Sequence, residues 1–180
     1  MMSKNDAESS LYPVGSLTSQ QVFYAVSEGG KDDRPIQQPP GKRRILLADD
    51  HCTMLKRLVS HLEPFFEVVA AVSNGIDLIS EVRRLGPELI VTDITMPGLT
   101  GIEAVRELRR TGSLIPVVFL TVHREAAFVE ACLTEGALGY VHKSGLVSEL
   151  IPAMIEALSG RRFISPSVPY AAELHTNSSS

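Results

Sequence analysis

Short apolar runs alternate with longer segments of helical periodicity from residue 42 onward. Five such runs are present, at 45–48, 68–72, 89–91, 116–120 and 138–141. They are continuously apolar rather than alternating with polar residues, which is typical of strands buried on both faces. Between the runs, apolar residues recur every three to four positions, as in Leu55, Leu58 and Leu62, and this spacing predicts amphipathic helices.

Five repeats of a strand followed by a helix predict an α/β fold. Crossover connections between parallel strands are right-handed and place helices on both faces of the sheet. Helix-end signals agree with this interpretation, because Thr100 and Glu103 have the spacing of a capping box and Gly160 follows the last helical segment. We therefore expect one α/β domain over residues 42–160.

The segments on either side of this domain differ from it in composition. Residues 1–41 are rich in Ser, Gln, Gly, Pro and Asp, which predicts a disordered N-terminal arm. Residues 161–180 end in a polar, serine-rich run, which predicts a flexible C-terminal tail.

Four of the predicted strands end in residues with charged or hydroxyl side chains. Asp49 and Asp50 follow the first strand, Asp93 follows the third, Thr121 ends the fourth and Lys143 follows the fifth. Ligands of open α/β sheets bind outside the carboxyl ends of the strands. The sequence thus predicts one site with three carboxylates, a hydroxyl and an ammonium group.

This set of groups suits phosphoryl transfer onto an aspartate. Three clustered carboxylates repel one another, and a divalent cation such as Mg²⁺ relieves that repulsion. A carboxylate beside the cation can attack phosphorus, while a lysine and a hydroxyl neutralise or bond the phosphoryl oxygens. Taken singly, Asp49 and Asp50 could be a solvated helix cap and Asp93 a turn residue. Their occurrence together with Lys143 favours the functional interpretation.

The same residues carry a resemblance to the receiver domains of two-component response regulators. The matching features, in chain order, are Asp49-Asp50, Asp93 followed by Met96-Pro97 and Gly101, then Thr121, Tyr140 and Lys143. The resemblance extends from about residue 42 to residue 160. Within the family, the segments Asp49-Asp50-His51 and 160–166 are most similar to the NarL/FixJ subfamily.

The resemblance implies a fold and a role for each residue. It implies a flavodoxin-like, five-stranded parallel sheet of order 2-1-3-4-5 with helices on both faces. Asp93 becomes the phosphoacceptor, and Mg²⁺ is expected at Asp49, Asp50 and Asp93 with the backbone carbonyl of Thr95. Lys143 would pair with the phosphoryl group.

The resemblance also implies a switch made of Thr121 and Tyr140. Thr121 would bond a phosphoryl oxygen and move toward it, which would open space for Tyr140 to turn inward. The surface formed by the fourth helix, fifth strand and fifth helix would change as a result. Taken alone, Tyr140 could equally be an ordinary core or edge aromatic residue.

The charge and hydropathy of the chain limit the kinds of partner that we expect it to bind. The net charge of −4 gives no basic excess for nucleic acid, and no apolar run approaches the ~20 residues of a membrane span. The N-terminus has no secretory signal pattern, so we expect a cytoplasmic protein.

Cys52 and Cys132 are interpreted as small core-facing side chains. His51 and His123 lie near the site, but a carboxylate-rich Mg²⁺ site does not need imidazole ligands.

Three functions remain in competition at this stage. The first is a receiver phosphorylated by a sensor histidine kinase, with self-catalysed phosphoryl transfer and autodephosphorylation, which signals to a downstream protein or a second copy of itself. The second is a DNA-binding regulator whose helix-turn-helix domain is missing, since residues 161–180 are too few to contain one. The third is an aspartyl-phosphate hydrolase, which is disfavoured because no second aspartate follows Asp93 in the segment Ile94-Thr95.

Overall fold

A computed structural model of the chain describes residues 41–169. The predicted N-terminal arm, apart from Gly41, and residues 170–180 lie outside the described residues. A bilayer-spanning helix is not found between residues 41 and 169, where every helix is too short or too polar for that role.

The centre of the domain is a parallel β-sheet. Its strands are β1 (Arg44–Ala48), β2 (Glu67–Val72), β3 (Leu89–Thr92), β4 (Val117–Thr121), β5 (Gly139–His142) and β6 (Phe163–Ile164). They are arranged in the order β2-β1-β3-β4-β5-β6, and every neighbouring pair is parallel. The predicted order 2-1-3-4-5 is therefore confirmed, with one strand added at the β5 edge.

The sixth strand lies in the segment that we predicted as a flexible tail. Ile164 pairs with Tyr140 of β5, and Ser165 N–H donates to the Tyr140 carbonyl at 2.8 Å. Ser165 and Val168 are buried, and the Ser165 hydroxyl bonds the carboxylate of Glu149. A two-residue strand is too short to show any periodicity in the sequence. It forms because the β5 edge offers unpaired backbone groups.

Five helices cover the two faces of the sheet. They are α1 (Cys52–Leu62), α2 (Gly75–Leu85), α3 (Gly101–Arg110), α4 (Ala126–Thr134) and α5 (Leu146–Leu158). One apolar cluster joins α2, α3 and α4 to one face, and a second joins α1 and α5 to the other. Successive strand residues alternate between the clusters, as Leu46 and Leu47 do, because side chains of a strand point to opposite faces.

Local signals at the helix starts have the predicted geometry. Asn74 caps α2 by accepting a hydrogen bond from the Asp77 N–H at 2.9 Å. Thr100 and Glu103 form the predicted capping box at the start of α3. The prediction for the cysteines is half right, since Cys132 is buried in the core and Cys52 is exposed at the start of α1.

Two glycines permit a close approach of helix starts to the loop after β3. Gly101 N–H donates to the Ile94 carbonyl at 2.8 Å, and Gly75 N–H donates to the Leu99 carbonyl at 3.1 Å. A Cβ atom on Gly101 would lie 1.9 Å from the carbonyl oxygen of Asp93. The absence of a side chain at this position therefore sets the path of the loop that begins at Asp93.

Replacing Gly101 by Ala should destabilise the domain. The new Cβ atom would overlap a backbone oxygen that cannot rotate away, and overpacking of this kind costs about 1–3 kcal/mol. Without the clash, Gly to Ala at the first helical position would be neutral or stabilising. Urea unfolding followed by circular dichroism measures the difference.

The matched control is Gly145→Ala. The atoms nearest to its new Cβ would be those of the Glu149 carboxylate, a flexible side-chain end that can shift at the expense of its bond to Ser165. We expect a smaller loss of unfolding free energy than for Gly101→Ala. Equal stabilities of Gly101→Ala and the unmodified chain would contradict the proposed backbone contact.

Candidate functional site

The carboxyl ends of β1, β3, β4 and β5 bring the predicted site residues together. Asp49 and Asp93 follow β1 and β3, which are neighbours in the sheet, and Thr121 ends β4 beside them. All three are almost fully buried, with exposures of 1%, 4% and 0%. Lys143 opens a short 3-10 helix directly after β5. Two carboxylates are thus removed from water next to each other, which requires a compensating cation.

Lys143 supplies that positive charge. Its Nζ atom lies 2.6 Å from Asp93 Oδ2 and 2.7 Å from Asp49 Oδ2. Burial alone would lower the pKa of Lys143, but the hydrogen bonds and negative charges of the two aspartates outweigh it and raise the pKa. The ammonium group is therefore charged at neutral pH.

Asp93 is held from two sides. Its Oδ1 atom accepts a hydrogen bond from the Ile94 N–H at 2.6 Å, and its Oδ2 atom faces Lys143. Its own backbone N–H donates to the Ala48 carbonyl of β1 at 2.8 Å. The carboxylate orientation is therefore fixed, with Oδ2 beside a cation, which suits a nucleophile for an anionic phosphoryl group.

The acidic pair differs in exposure. Asp49 is buried and accepts a hydrogen bond from the His51 N–H at 2.9 Å through Oδ1. Its Oδ2 atom is buried and accepts no aligned hydrogen bond, although the charge of Lys143 is close. Asp50 is mostly solvent-accessible, and its Oδ1 atom lies 2.7 Å from His51 Nδ1.

These groups fit a divalent cation. Ligand atoms of Asp49, Asp50 and His51 lie within 4.8 Å of one another. The carboxylate oxygens match the preference of Mg²⁺ for hard donors. Asp93 lies outside this group of three, and its carboxylate is engaged by Lys143. His51, which the sequence analysis set aside, is the third member.

The expected switch residues both contact His123. Thr121 Oγ1 accepts a hydrogen bond from the His123 N–H at 3.3 Å, and the Tyr140 hydroxyl donates to the His123 carbonyl at 3.1 Å. Tyr140 is fully buried, and burial raises the pKa of its phenol. The inward position that we expected after phosphorylation is thus already occupied in this structure.

The sequence analysis gave no role to the His123 side chain, which contacts the loop after β3. Thr95, the expected source of a carbonyl ligand, is exposed, and its Oγ1 atom lies 2.9 Å from His123 Nε2. His123 follows Thr121 by two residues, at the same strand end as the predicted site. That position was the signal available in the sequence, but only the fold shows that the two loops meet.

Comparison with known proteins identifies the family. The model of the response regulator receiver domain matches residues 45–155. The response regulator GacA of Pseudomonas aeruginosa is 34% identical over 128 residues, which cover 69% of this chain and 59% of that protein. The response regulator UvrY of Escherichia coli K12 is 29% identical over 127 residues, covering 69% of this chain and 58% of UvrY. The chain therefore spans less than two thirds of the length of these relatives.

Solved structures give the same result. A two-component response regulator of the LuxR family from Aurantimonas superposes with a TM-score of 0.70 at 33% identity, covering 77% of this chain and 99% of that one. The isolated receiver domain of RcsB from Salmonella enterica serovar Typhimurium, solved with the phosphomimetic beryllofluoride, superposes with a TM-score of 0.65 at 26% identity, covering 71% of this chain and 96% of the RcsB domain. The predicted family and its NarL/FixJ-like character are confirmed, and this chain belongs to the response regulator receiver domain family of two-component signalling proteins.

Proposed function

We propose that Asp93 is the phosphoacceptor and takes its phosphoryl group from a phosphohistidine of a sensor histidine kinase. The observation that carries this proposal is the contact of 2.6 Å between Asp93 Oδ2 and Lys143 Nζ at a buried strand end. Asp49 also contacts Lys143, but it is the more deeply buried of the two, with 1% exposure against 4% for Asp93, and the receiver-domain resemblance assigns the phosphoacceptor role to Asp93. Asp93 is therefore the favoured nucleophile.

The transfer balances as a displacement at phosphorus. A lone pair of Asp93 Oδ2 forms the new O–P bond as the P–N bond of the phosphohistidine breaks, and the electron pair of that bond returns to the kinase imidazole. As negative charge passes from the Asp93 carboxylate to the phosphoryl group, the Lys143 ammonium group can shift to a phosphoryl oxygen with little movement. The chain thereby catalyses its own phosphorylation by orienting the nucleophile and neutralising charge.

Asp49 and Asp50 are proposed to hold Mg²⁺, with Asp93 and the Thr95 carbonyl completing the ligand set when the site is loaded. The chemistry that Mg²⁺ supplies in such a site is neutralisation of phosphoryl oxygens. The grouping of ligand atoms of Asp49, Asp50 and His51 within 4.8 Å supports this assignment. His51 keeps Asp50 in place through the contact between Nδ1 and Oδ1.

We further propose that the phosphorylated site signals through protein contact. The net charge of −4 does not favour DNA, and the helices described between residues 41 and 169 all cover the central sheet. A downstream protein or a second copy of the chain would use the face of α4, β5 and α5 or the face of α1 and α5. Because β6 occupies the outer edge of β5, the first of these faces includes residues 163–168.

The DNA-binding alternative retains one observation in its favour. Structures of RcsB bound to DNA are similar to this chain, with a TM-score of 0.67 at 26% identity over 73% of this chain and 68% of RcsB. A mobility-shift assay with and without beryllofluoride separates the alternatives. Phosphorylation-dependent retention of DNA would favour direct regulation, and a change in mass by sedimentation would favour protein contact.

Asp93→Asn should abolish phosphorylation. The substitution keeps the side-chain shape and an acceptor for the Ile94 N–H but removes the nucleophilic oxygen. Incubation with radiolabelled acetyl phosphate and Mg²⁺, followed by peptide mapping, measures the label. Asp77→Asn, on the exposed start of α2, is the matched control and should be labelled like the unmodified chain. Label at the unmodified level in Asp93→Asn would refute the assignment.

Removal of Mg²⁺ should block phosphorylation. Excess EDTA should abolish labelling, and Asp50→Asn should raise the Mg²⁺ Kd at least about tenfold, which corresponds to about 1.4 kcal/mol. Calorimetric titration measures the Kd, and Mg²⁺ should also raise the melting temperature of the unmodified chain by mass action. Labelling that continues unchanged in EDTA would contradict the metal assignment.

Substitutions of Thr121 and Lys143 should distinguish phosphorylation itself from the structural change that follows it. Thr121→Ala should still accept label but show a reduced phosphorylation-dependent change in amide exchange on α4 and β5, because the hydroxyl that bonds the phosphoryl group is gone. Lys143→Ala should reduce both labelling and the exchange change. Thr121→Ser and Lys143→Arg, which keep the hydroxyl and the charge, are the matched controls. An exchange change in Thr121→Ala equal to that of the unmodified chain would overturn the coupling.

A further inference from the structure

The side chain of His123 connects two structural elements that the Thr121–Tyr140 pair does not join. Its imidazole is about three-quarters buried, with 26% of the side chain exposed. One edge of the ring contacts the loop after β3, and one face contacts α4. The ring therefore lies between the phosphorylation site and the helix on the proposed signalling face.

The edge contact reaches the loop that begins at Asp93. His123 Nε2 and Thr95 Oγ1 lie 2.9 Å apart, within hydrogen-bonding distance. Thr95 is two residues from Asp93, and its carbonyl is a proposed Mg²⁺ ligand. The backbone of this loop is fixed at Ile94 and Leu99 by the glycine contacts described above. The contact between the Thr95 side chain and His123 therefore depends on the position of a loop that is hydrogen-bonded at both ends.

The face contact reaches the first turn of α4. The rings of His123 and Phe128 stack with centroids 4.0 Å apart and planes inclined by 25°. Phe128 in turn packs on the core cluster that contains Val129 and Cys132. A sideways movement of the imidazole would have to displace Phe128, because the two rings are in contact.

The start of α4 is weakly held by other means. Glu125, the residue before the helix, makes no side-chain cap, and no acidic residue lies in the first turn. The Glu125 carbonyl accepts a hydrogen bond from the Phe128 N–H at 3.0 Å, but the bond from the Val129 N–H that closes the first full helical turn is long at 3.4 Å. A helix start without a side-chain cap lacks a hydrogen bond that commonly stabilises the first turn. The stack with His123 is therefore a substantial part of what positions this turn.

The backbone of His123 is bonded to both switch residues. Thr121 accepts from its N–H and Tyr140 donates to its carbonyl, so any turn of the Thr121 hydroxyl toward a phosphoryl group gives up the bond of 3.3 Å. The backbone of His123 is thus connected to the site through Thr121 at the end of β4, and the outer edge of its ring is connected to the site through the loop after β3. Neither contact depends on the other.

We propose that His123 is a positioning residue that transmits the state of the Asp93 site to the first turn of α4, through its contact with Thr95 on one side and its stack on Phe128 on the other. The inference rests on the proposed function of Asp93. It adds a second connection between site and surface, which runs through the loop after β3 rather than through the Thr121 hydroxyl.

Two substitutions of His123 each remove one of its two side-chain contacts and keep the other. His123→Phe keeps a ring against Phe128 but cannot bond Thr95, and His123→Gln keeps a polar end but cannot stack. Thr95→Val removes the hydroxyl from the other side of the contact, and Thr95→Ser, which restores it, is the matched control. The backbone bonds of His123 to Thr121 and Tyr140 are retained in every variant.

The experiment compares amide exchange of residues 126–134 with and without beryllofluoride and Mg²⁺. In the unmodified chain and Thr95→Ser we expect the full change in exchange, and in Thr95→Val and His123→Phe we expect less than about half of it. Labelling of Asp93 should persist in the His123 variants, and in the Thr95 variants when Mg²⁺ is supplied well above its raised Kd. The Mg²⁺ Kd should rise about two- to tenfold in Thr95→Val and His123→Phe, as for loss of one hydrogen bond, and remain unchanged in His123→Gln.

His123→Gln should still lose most of the exchange change on α4, because its link to Phe128 is gone. A full α4 response in both Thr95→Val and His123→Phe, with Asp93 labelled, would overturn this inference alone. An unmodified chain that is not labelled at Asp93 would overturn the proposed function, and this inference with it. If His123→Phe does not fold, the comparison of Thr95→Val with Thr95→Ser decides the outcome, because Thr95 is exposed.

Discussion

The ion pairs of Lys143 with Asp49 and Asp93 are the interaction on which the site depends. Two carboxylates are almost completely buried at adjacent strand ends, and their repulsion would destabilise the fold without a cation between them. Lys143 supplies that cation from the far side of β4. The arrangement leaves the Asp93 carboxylate oriented and its charge compensated by Lys143.

The sheet order makes this interaction available. β1 and β3 are direct neighbours, so Asp49 and Asp93 end side by side, and β5 follows after β4. The crossover helices cover both faces of the sheet. Gly101 and Gly75 then allow the loop after β3 to pack against two helix starts, so that Asp93 is held by backbone contacts as well as by charge.

The sixth strand and the buried Tyr140 connect the site to the edge of the sheet. Tyr140 pairs with Ile164 through its backbone while its hydroxyl bonds the loop after β4. Ser165 and Glu149 fasten the same segment to α5. A change at Thr121 would therefore be felt by the segment 163–168 as well as by α4, because Tyr140 touches both regions.

Local sequence was enough to predict the strands, the helices and their order. Continuous apolar runs such as 45–48, the capping box at Thr100 and the charged residues at the strand ends each follow from backbone geometry and burial within a few residues of chain. For the same reason Asp93, Lys143 and the acidic pair could be named as candidates, since parallel strands must end at one edge. Their family resemblance added the expected roles.

Tertiary structure decided what no local pattern encodes. The two-residue β6 exists only because β5 offers an open edge, and the direction of Cys52 depends on how α1 packs. Lys143 lies between Asp49 and Asp93 because the loops after β1, β3 and β5 converge there. The contacts of His123 with Thr95 and Phe128 likewise depend on distances between loops. Sequence spacing fixes which residues share an element, but the packing of elements against one another fixes which side chains from different elements meet.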